Sequence, residues 1–168
     1  MDLLKIALVG SGLLCSLVAG IVLAFACVVM PGISKLDDRA YLRSFKAMDR
    51  VIQDNQPVFM LVWAGSVVVL LLTTALGLWR LDGADRILIL AAAAIYLGGV
   101  QLPTATVNIP LNNQLQAQDL ETLSDASLRD ARVAFEGRWV RWNLIRTVFA
   151  VLASVLLIAL ALRLGALP

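Results

Sequence analysis

Four stretches of this chain contain no charged residue: 6–34, 55–79, 87–118 and 147–162. No other feature of the sequence limits the fold as tightly. A helix needs about 20 apolar residues to cross roughly 30 Å of hydrocarbon, and the first three stretches exceed that length. The fourth covers about 24 Å at 1.5 Å per residue, so a full crossing brings Arg146 or Arg163 to the bilayer edge. Hydrophobic residues make up 60% of the chain, more than the usual half of a soluble domain. The expected fold is an all-α membrane protein, a single transmembrane domain over residues 1–168 with four transmembrane helices in a bundle. The spans are placed at 6–30, 57–79, 87–107 and 142–163, with "MPG" at Met30–Gly32 ending the first. That first stretch is far longer than the 7–15 residues of a signal-peptide core, so it is read as a retained helix.

Charge outside the spans is unevenly placed. Lys35, Arg39, Arg43, Lys46 and Arg50 lie in the first loop, and Arg129, Arg132, Arg138, Arg141 and Arg146 lie in or beside the third. Lys5, Arg80, Arg86 and Arg163 share the other side. The excess of basic residues predicts that loops 31–56 and 108–141 are cytoplasmic and both termini outside, in a bacterial inner membrane. A net charge of +2 is too small to argue for nucleic acid as a partner. Membrane lipids are the expected surroundings, and a homo-oligomer is an open alternative to a monomer.

Two amphipathic segments flank the spans, at 37–54 and 124–141. In the first, Tyr41, Phe45, Met48 and Ile52 share one helical face, with Asp37 or Asp38 as its cap. The segment either lies on the membrane surface with its basic residues at the headgroups, or lays its aromatic face over the bundle mouth as a lid. The second begins near Ser124 and runs into the fourth span, with Gly137 as a place to bend. Trp63 and Trp79 are placed toward the two interfaces, where indoles prefer to sit.

Polar groups collect in two stripes. Gln101, Thr104, Asn108 and Asn112 share one face of the third helix, and Glu136, Trp139, Asn143 and Arg146 share one face of the fourth. Pro103 and Pro110 point away from the first stripe and loosen the helix there. Intramembrane amides and an arginine normally pair inside the bundle. The stripes are therefore expected to face each other, with Arg146 donating to Asn108 or Asn112 or pairing with Glu136. They form either a polar clasp between two helices or the wall of a pocket for a flat, polar-edged ligand, with Trp139 as a stacking surface. There is no histidine, and every Asp and Glu lies outside the four stretches. That argues against His-ligated haem, most zinc sites, a Ser-His-Asp triad and a carboxylate-bridged di-iron bundle. Cys15 and Cys27, twelve residues apart on one helix, are too distant to pair and read as packing residues.

"MPG" after the first span, an amphipathic stretch ending in proline, "NIPLNNQL" and "FEGRWVRWNLIRT" together resemble the anthrone oxygenase-like family. Its members are small four-helix membrane proteins, many known only as a domain of unknown function. The resemblance extends over nearly the whole chain. Its most specific residues are Asn108, Pro110, Asn112, Arg138, Trp142, Asn143 and Arg146, and Pro31, Gly32 and Pro57 are looser. Members often carry Asn-Pro where this chain has Gln56 and Pro57, and Asn where it has Asp49.

The resemblance implies oxidation of an anthrone to an anthraquinone by O2, with no metal and no organic cofactor. On that basis Glu136 is expected to act as base and Arg146 to stabilise the enolate oxygen. Gln101, Thr104, Asn108, Asn112 and Asn143 bind the substrate, and Trp139 stacks on its rings. Direct pairing of Glu136 with Arg146 would pass the base role to an amide-bound water. The competing expectation is a non-enzymatic membrane protein that binds a quinone, a lipid or a protein partner. A transporter is a weaker third, because the chain shows no repeated half.

Overall fold

The computed structural model describes residues 2–165. Five helices account for nearly all of them: α1 (Leu3–Ile33), α2 (Asp38–Gln53), α3 (Pro57–Arg80), α4 (Gly83–Gln116) and α5 (Asp125–Arg163). All but α2 are long and apolar enough to cross a membrane. No strand occurs among the described residues. The chain is therefore a four-span helical membrane protein, as the charge-free stretches require.

The spans run up and down. α1 packs on α3 and α5, α4 packs on α5, and the α3–α4 seam is the thinnest of the four. Short polar bonds join the apolar surfaces. Ser11 donates to Thr73 at 2.8 Å between α1 and α3, because the Thr73 hydroxyl already donates to the Val69 carbonyl. Tyr96 donates to Ser66 at 2.6 Å between α4 and α3. At the end that carries the termini, Arg163 pairs with Asp85 at 2.8 Å and Arg80 with Asp2.

Two helices run further than their prolines predict. α1 continues past Pro31 to Ile33, and α4 continues past Pro103 and Pro110 to Gln116. One device explains all three cases. Each proline follows a single wide π-helical turn: Phe25–Val29 before Pro31, Leu97–Gln101 before Pro103, Thr104–Asn108 before Pro110. A proline in a regular helix lacks a donor and drives its ring into the carbonyl four residues back. A π turn shifts the bonding by one residue and makes room for that ring. Gly137, read as a place to bend, lies within an unbroken α5.

Helix ends follow local chemistry. Asp37 caps α2 by accepting from the Ala40 amide at 2.8 Å, and Ser124 caps α5 by accepting from Ser127 at 3.2 Å. The α2–α3 turn puts Asn55 at φ 58°, a left-handed position that asparagine tolerates better than most residues. Gln56 then caps α3 through the Phe59 amide at 2.5 Å.

At Gly99 the α4–α5 seam admits no side chain, since a Cβ there would fall 2.3 Å from the Phe149 ring. Gly99→Ala is expected to cost about 1–3 kcal/mol through forced overpacking. Thermal unfolding in detergent is the measurement, and an unshifted midpoint would count against this seam.

Candidate functional site

The aromatic face of α2 turns inward. Tyr41, Leu42, Phe45 and Asp49 are its buried residues, so of the two sequence readings the lid describes what this face does. Phe45 meets Phe135 and Trp139 edge-on, with ring centroids 4.5 and 5.1 Å apart. The buried face is rotated from the predicted Tyr41–Phe45–Met48–Ile52 line toward Leu42 and Asp49. That rotation carries a carboxylate into the interior.

Beneath α2 lies a cavity of about 230 Å³. Ile21, Val22 and Phe25 of α1 and Phe59, Met60 and Trp63 of α3 form its apolar sides. Of the eight residues singled out in the sequence, Thr104, Asn108, Asn112, Trp139, Asn143 and Arg146 line it. The two stripes do face each other, but the bonds between them differ from those expected.

Arg146 is 5% exposed. Instead of bonding Asn108, Asn112 or Glu136, it donates to Thr104 Oγ1 at 3.0 Å and to Asn143 Oδ1 at 2.8 Å. Asn143 is in turn anchored to the Val22 carbonyl of α1 at 3.0 Å. The guanidinium carbon stands 5.8 Å from the Trp139 ring centroid. Arg146 Nε has no protein partner, and no ion pair among the described residues includes this arginine. A buried arginine thus rests on neutral oxygens alone. Asn108 is 2% exposed, and neither end of its amide has a protein partner. Buried polar groups are nearly always satisfied, so these two side chains have hydrogen-bonding capacity that the protein itself does not use.

Asp49, 4% exposed, occupies the opposite end of the cavity. Asn112 Nδ2 donates to one carboxylate oxygen at 2.7 Å. Gln53 and Gln116 donate to the other at 2.7 and 2.9 Å. All three donors are neutral amides. The indole nitrogen of Trp139 donates to Asn112 Oδ1 at 2.8 Å, so Trp139, Asn112 and Asp49 form one directed chain. From Thr104 to Asn112 along α4 is about 12 Å. The cavity therefore has a cationic end and an anionic end, with the unpaired Asn108 between them.

Gln101 and Glu136 do not line this space. Gln101 accepts from the Trp63 indole at 3.1 Å, a link from α4 to α3 made possible because Trp63 points inward rather than to the interface. Glu136 is held by Arg132 at 2.8 Å. Arg132 also binds Asp38 at 3.1 Å and the carbonyls of Leu36 and Ser34 at 2.9 and 2.7 Å, and it lies 4.3 Å over the Tyr41 ring. Glu136 thus belongs to the clamp that holds the start of α2. Burial, with the Glu136 charge adding to it, holds the Tyr41 phenol above its ordinary pKa, and Arg132 opposes the shift.

Trp63, expected from the sequence at a membrane interface, and Asp49, given no place in the site, both line the cavity. One signal was present for Asp49: it stands four residues after Phe45, on the same side of α2. Among the described residues no three of Cys, Asp and Glu come together as metal ligands would.

The fold and site define a four-span membrane protein with a polar-ended cavity enclosed among its four spans and roofed by an amphipathic helix. Residues 45–156 match the anthrone oxygenase family, which includes every residue of the two stripes. The chain belongs to that family. No curated protein and no solved structure matches it.

Proposed function

We propose that the cavity binds a flat polycyclic phenol of the anthrone type, and that the protein oxidises it with O2. The observation that carries this reading is that Arg146 Nε and both ends of the Asn108 amide, without protein partners, line the same aromatic-walled space as the Asp49 carboxylate. An anthrone has an acidic CH2 between two rings and a carbonyl on the other side. Asp49 accepts the proton from carbon while Arg146 and Asn108 take the oxygen, which becomes an enolate oxyanion. Preorganised donors aimed at a developing oxyanion are worth most in a dry site, and a positioned carboxylate supplies general-base catalysis. The electron-rich anion reduces O2 and combines with it, giving a hydroperoxide at the former CH2. Loss of the second C–H proton and cleavage of the O–O bond leave a quinone carbonyl and release water. Anthrone and O2 thus balance anthraquinone and H2O.

Trp139 and Phe45 provide stacking surfaces for the rings. Asn143 fixes Arg146, and Asn112 couples Trp139 to Asp49. The basic residues of the long loops support a cytoplasmic position for the lid end.

Asn108→Leu tests the reading. The replacement removes two unsatisfied buried groups, each costing about 1–3 kcal/mol, so the variant is expected to unfold at the same temperature or higher. Binding of 1,8-dihydroxyanthraquinone, followed by tryptophan quenching in lipid nanodiscs, is expected to weaken at least about tenfold, in line with the loss of a ligand hydrogen bond. Unchanged binding would make Asn108 a packing residue. Wild-type protein that binds the quinone yet leaves anthrone oxidation at the protein-free rate would be a quinone binder rather than an oxygenase.

A further inference from the structure

We infer that this cavity is loaded sideways from the bilayer, through a gap between α3 and α4, and that its ligand is a hydrophobe dissolved in lipid rather than in water. The inference rests on the ligand site proposed above and adds where the ligand comes from.

The lid end is closed. Phe45, Asp49 and Ile52 of α2 face the cavity, and α2 is bound down along its length. Arg39 donates to the carbonyls of Leu120 and Leu123, Arg43 pairs with Glu121, and Lys46 donates to the Gln118 carbonyl. Gln116 Nε2 returns a bond to the Lys46 carbonyl at 2.9 Å. Opening the cavity toward water would break this set together with the Arg132 clamp. The α1–α5 seam is closed as well, by Phe25 against Trp139 at 5.7 Å and by the Asn143 bond to Val22.

The α3–α4 side differs. Two hydrogen bonds tie these helices, Tyr96 to Ser66 and Trp63 to Gln101. Beyond Trp63, toward the lid end, no side-chain hydrogen bond joins α3 to α4 among the described residues. There Phe59 and Met60 line the cavity from one helix, and Asn108 and Ile109 from the other. Met60 is 39% and Ile109 47% exposed. The same two side chains therefore touch the cavity and the lipid-facing surface, with no second layer between. Their neighbours Val58, Leu61 and Leu102 are exposed and apolar, as a surface in contact with acyl chains should be. Met60 is unbranched and adaptable, suited to swinging aside. Phe59 and Trp63 are stacked, with ring centroids 5.4 Å apart and planes 16° from parallel, an aromatic strip on the α3 wall of the gap. A planar aromatic following this strip meets no charge until it reaches Arg146 or Asp49. The substrate class that fits is a polycyclic phenol with its polar groups on the edges and no ionised side chain, one that partitions into membranes.

The test compares loading rates of 1,8-dihydroxyanthraquinone, delivered from vesicles and read by stopped-flow quenching of tryptophan, in nanodisc-held protein with Cys27→Ser as background. One variant, Arg43→Cys with Glu121→Cys, is joined by a short bis-maleimide so that the lid cannot lift. The other, Met60→Phe with Ile109→Phe, narrows the gap. The crosslinked lid is expected to load at the unmodified rate. The narrowed gap is expected to slow loading about tenfold, within the range over which association rates vary among mutants of one site. A crosslink that slows loading, or a narrowed gap that leaves the rate unchanged, overturns lateral loading while the site stands. No quenching in the unmodified background protein removes the ligand site itself, and lateral loading with it.

Discussion

Arg146→Met is expected to lower anthrone oxidation by at least about a hundredfold, the usual cost of removing a donor from a developing oxyanion, roughly 2.7–4 kcal/mol. Its stability is expected to change little. The guanidinium is buried with no carboxylate partner, so methionine relieves a desolvation cost of several kcal/mol. Against that stands the loss of the bond to Asn143 Oδ1, about 1–3 kcal/mol if the oxygen stays unpaired. The Thr104 hydroxyl keeps its own bond to the Val100 carbonyl. Anthraquinone formation, followed by absorbance, and thermal unfolding in the same detergent give the two readouts. A parallel collapse of activity and unfolding temperature would mean that Arg146 is a clasp between α4 and α5. A loss of activity alone identifies a residue that waits for a ligand.

Asp49→Asn carries the second large effect. Removing a general base costs about 10² to 10⁴ in rate, while quinone binding should persist because Arg146 and Asn108 are untouched. Asparagine keeps the size of aspartate, but it presents an amide group where three amides already donate. One of those bonds is lost, at about 1 kcal/mol, well short of what would unfold a domain. Glu136→Gln belongs in the same series. It breaks only the Arg132 pair within the α2 clamp, worth less than about 1 kcal/mol for a partly exposed pair, and turnover is expected to hold. The opposite pattern, a silent Asp49 and a failing Glu136, would return the base to the residue first expected from the helical stripe. Full activity in both variants would leave a bound water between Asn108 and Asn112 as the proton acceptor.

Asp49 also shows where reading by period reaches its limit. The four-residue spacing from Phe45 puts it on the inner side of α2, yet an acidic residue in a basic, charged segment reads as solvated until its partners are known. Those partners are Asn112 and Gln116, more than sixty residues away in the chain. Glu136 errs the other way. It shares a helical face with Trp139 and Arg146, but at the third residue before Trp139 it clears the cavity rim and meets Arg132. Gln101 likewise starts the α4 stripe and leaves it, because Trp63 offers a donor from α3.

What the sequence alone determined is what depends on single residues and their near neighbours. Charge cannot enter hydrocarbon cheaply, so four uncharged stretches already meant four spans. Helical period placed Thr104, Asn108 and Asn112 on one face and Trp139, Asn143 and Arg146 on another, and membrane cost turned both faces inward. Asp37 and Ser124 announced their helix starts through short local bonds. Only the tertiary structure decided which inward groups found partners. Arg146 chose Thr104 and Asn143, Asn108 found none, Asp49 was drawn under the lid, and three prolines stayed inside their helices behind π turns. These outcomes depend on how α2 docks across α4 and α5 and on how far α3 stands from α4. Such distances are set by packing between segments remote in sequence, and no local pattern carries them.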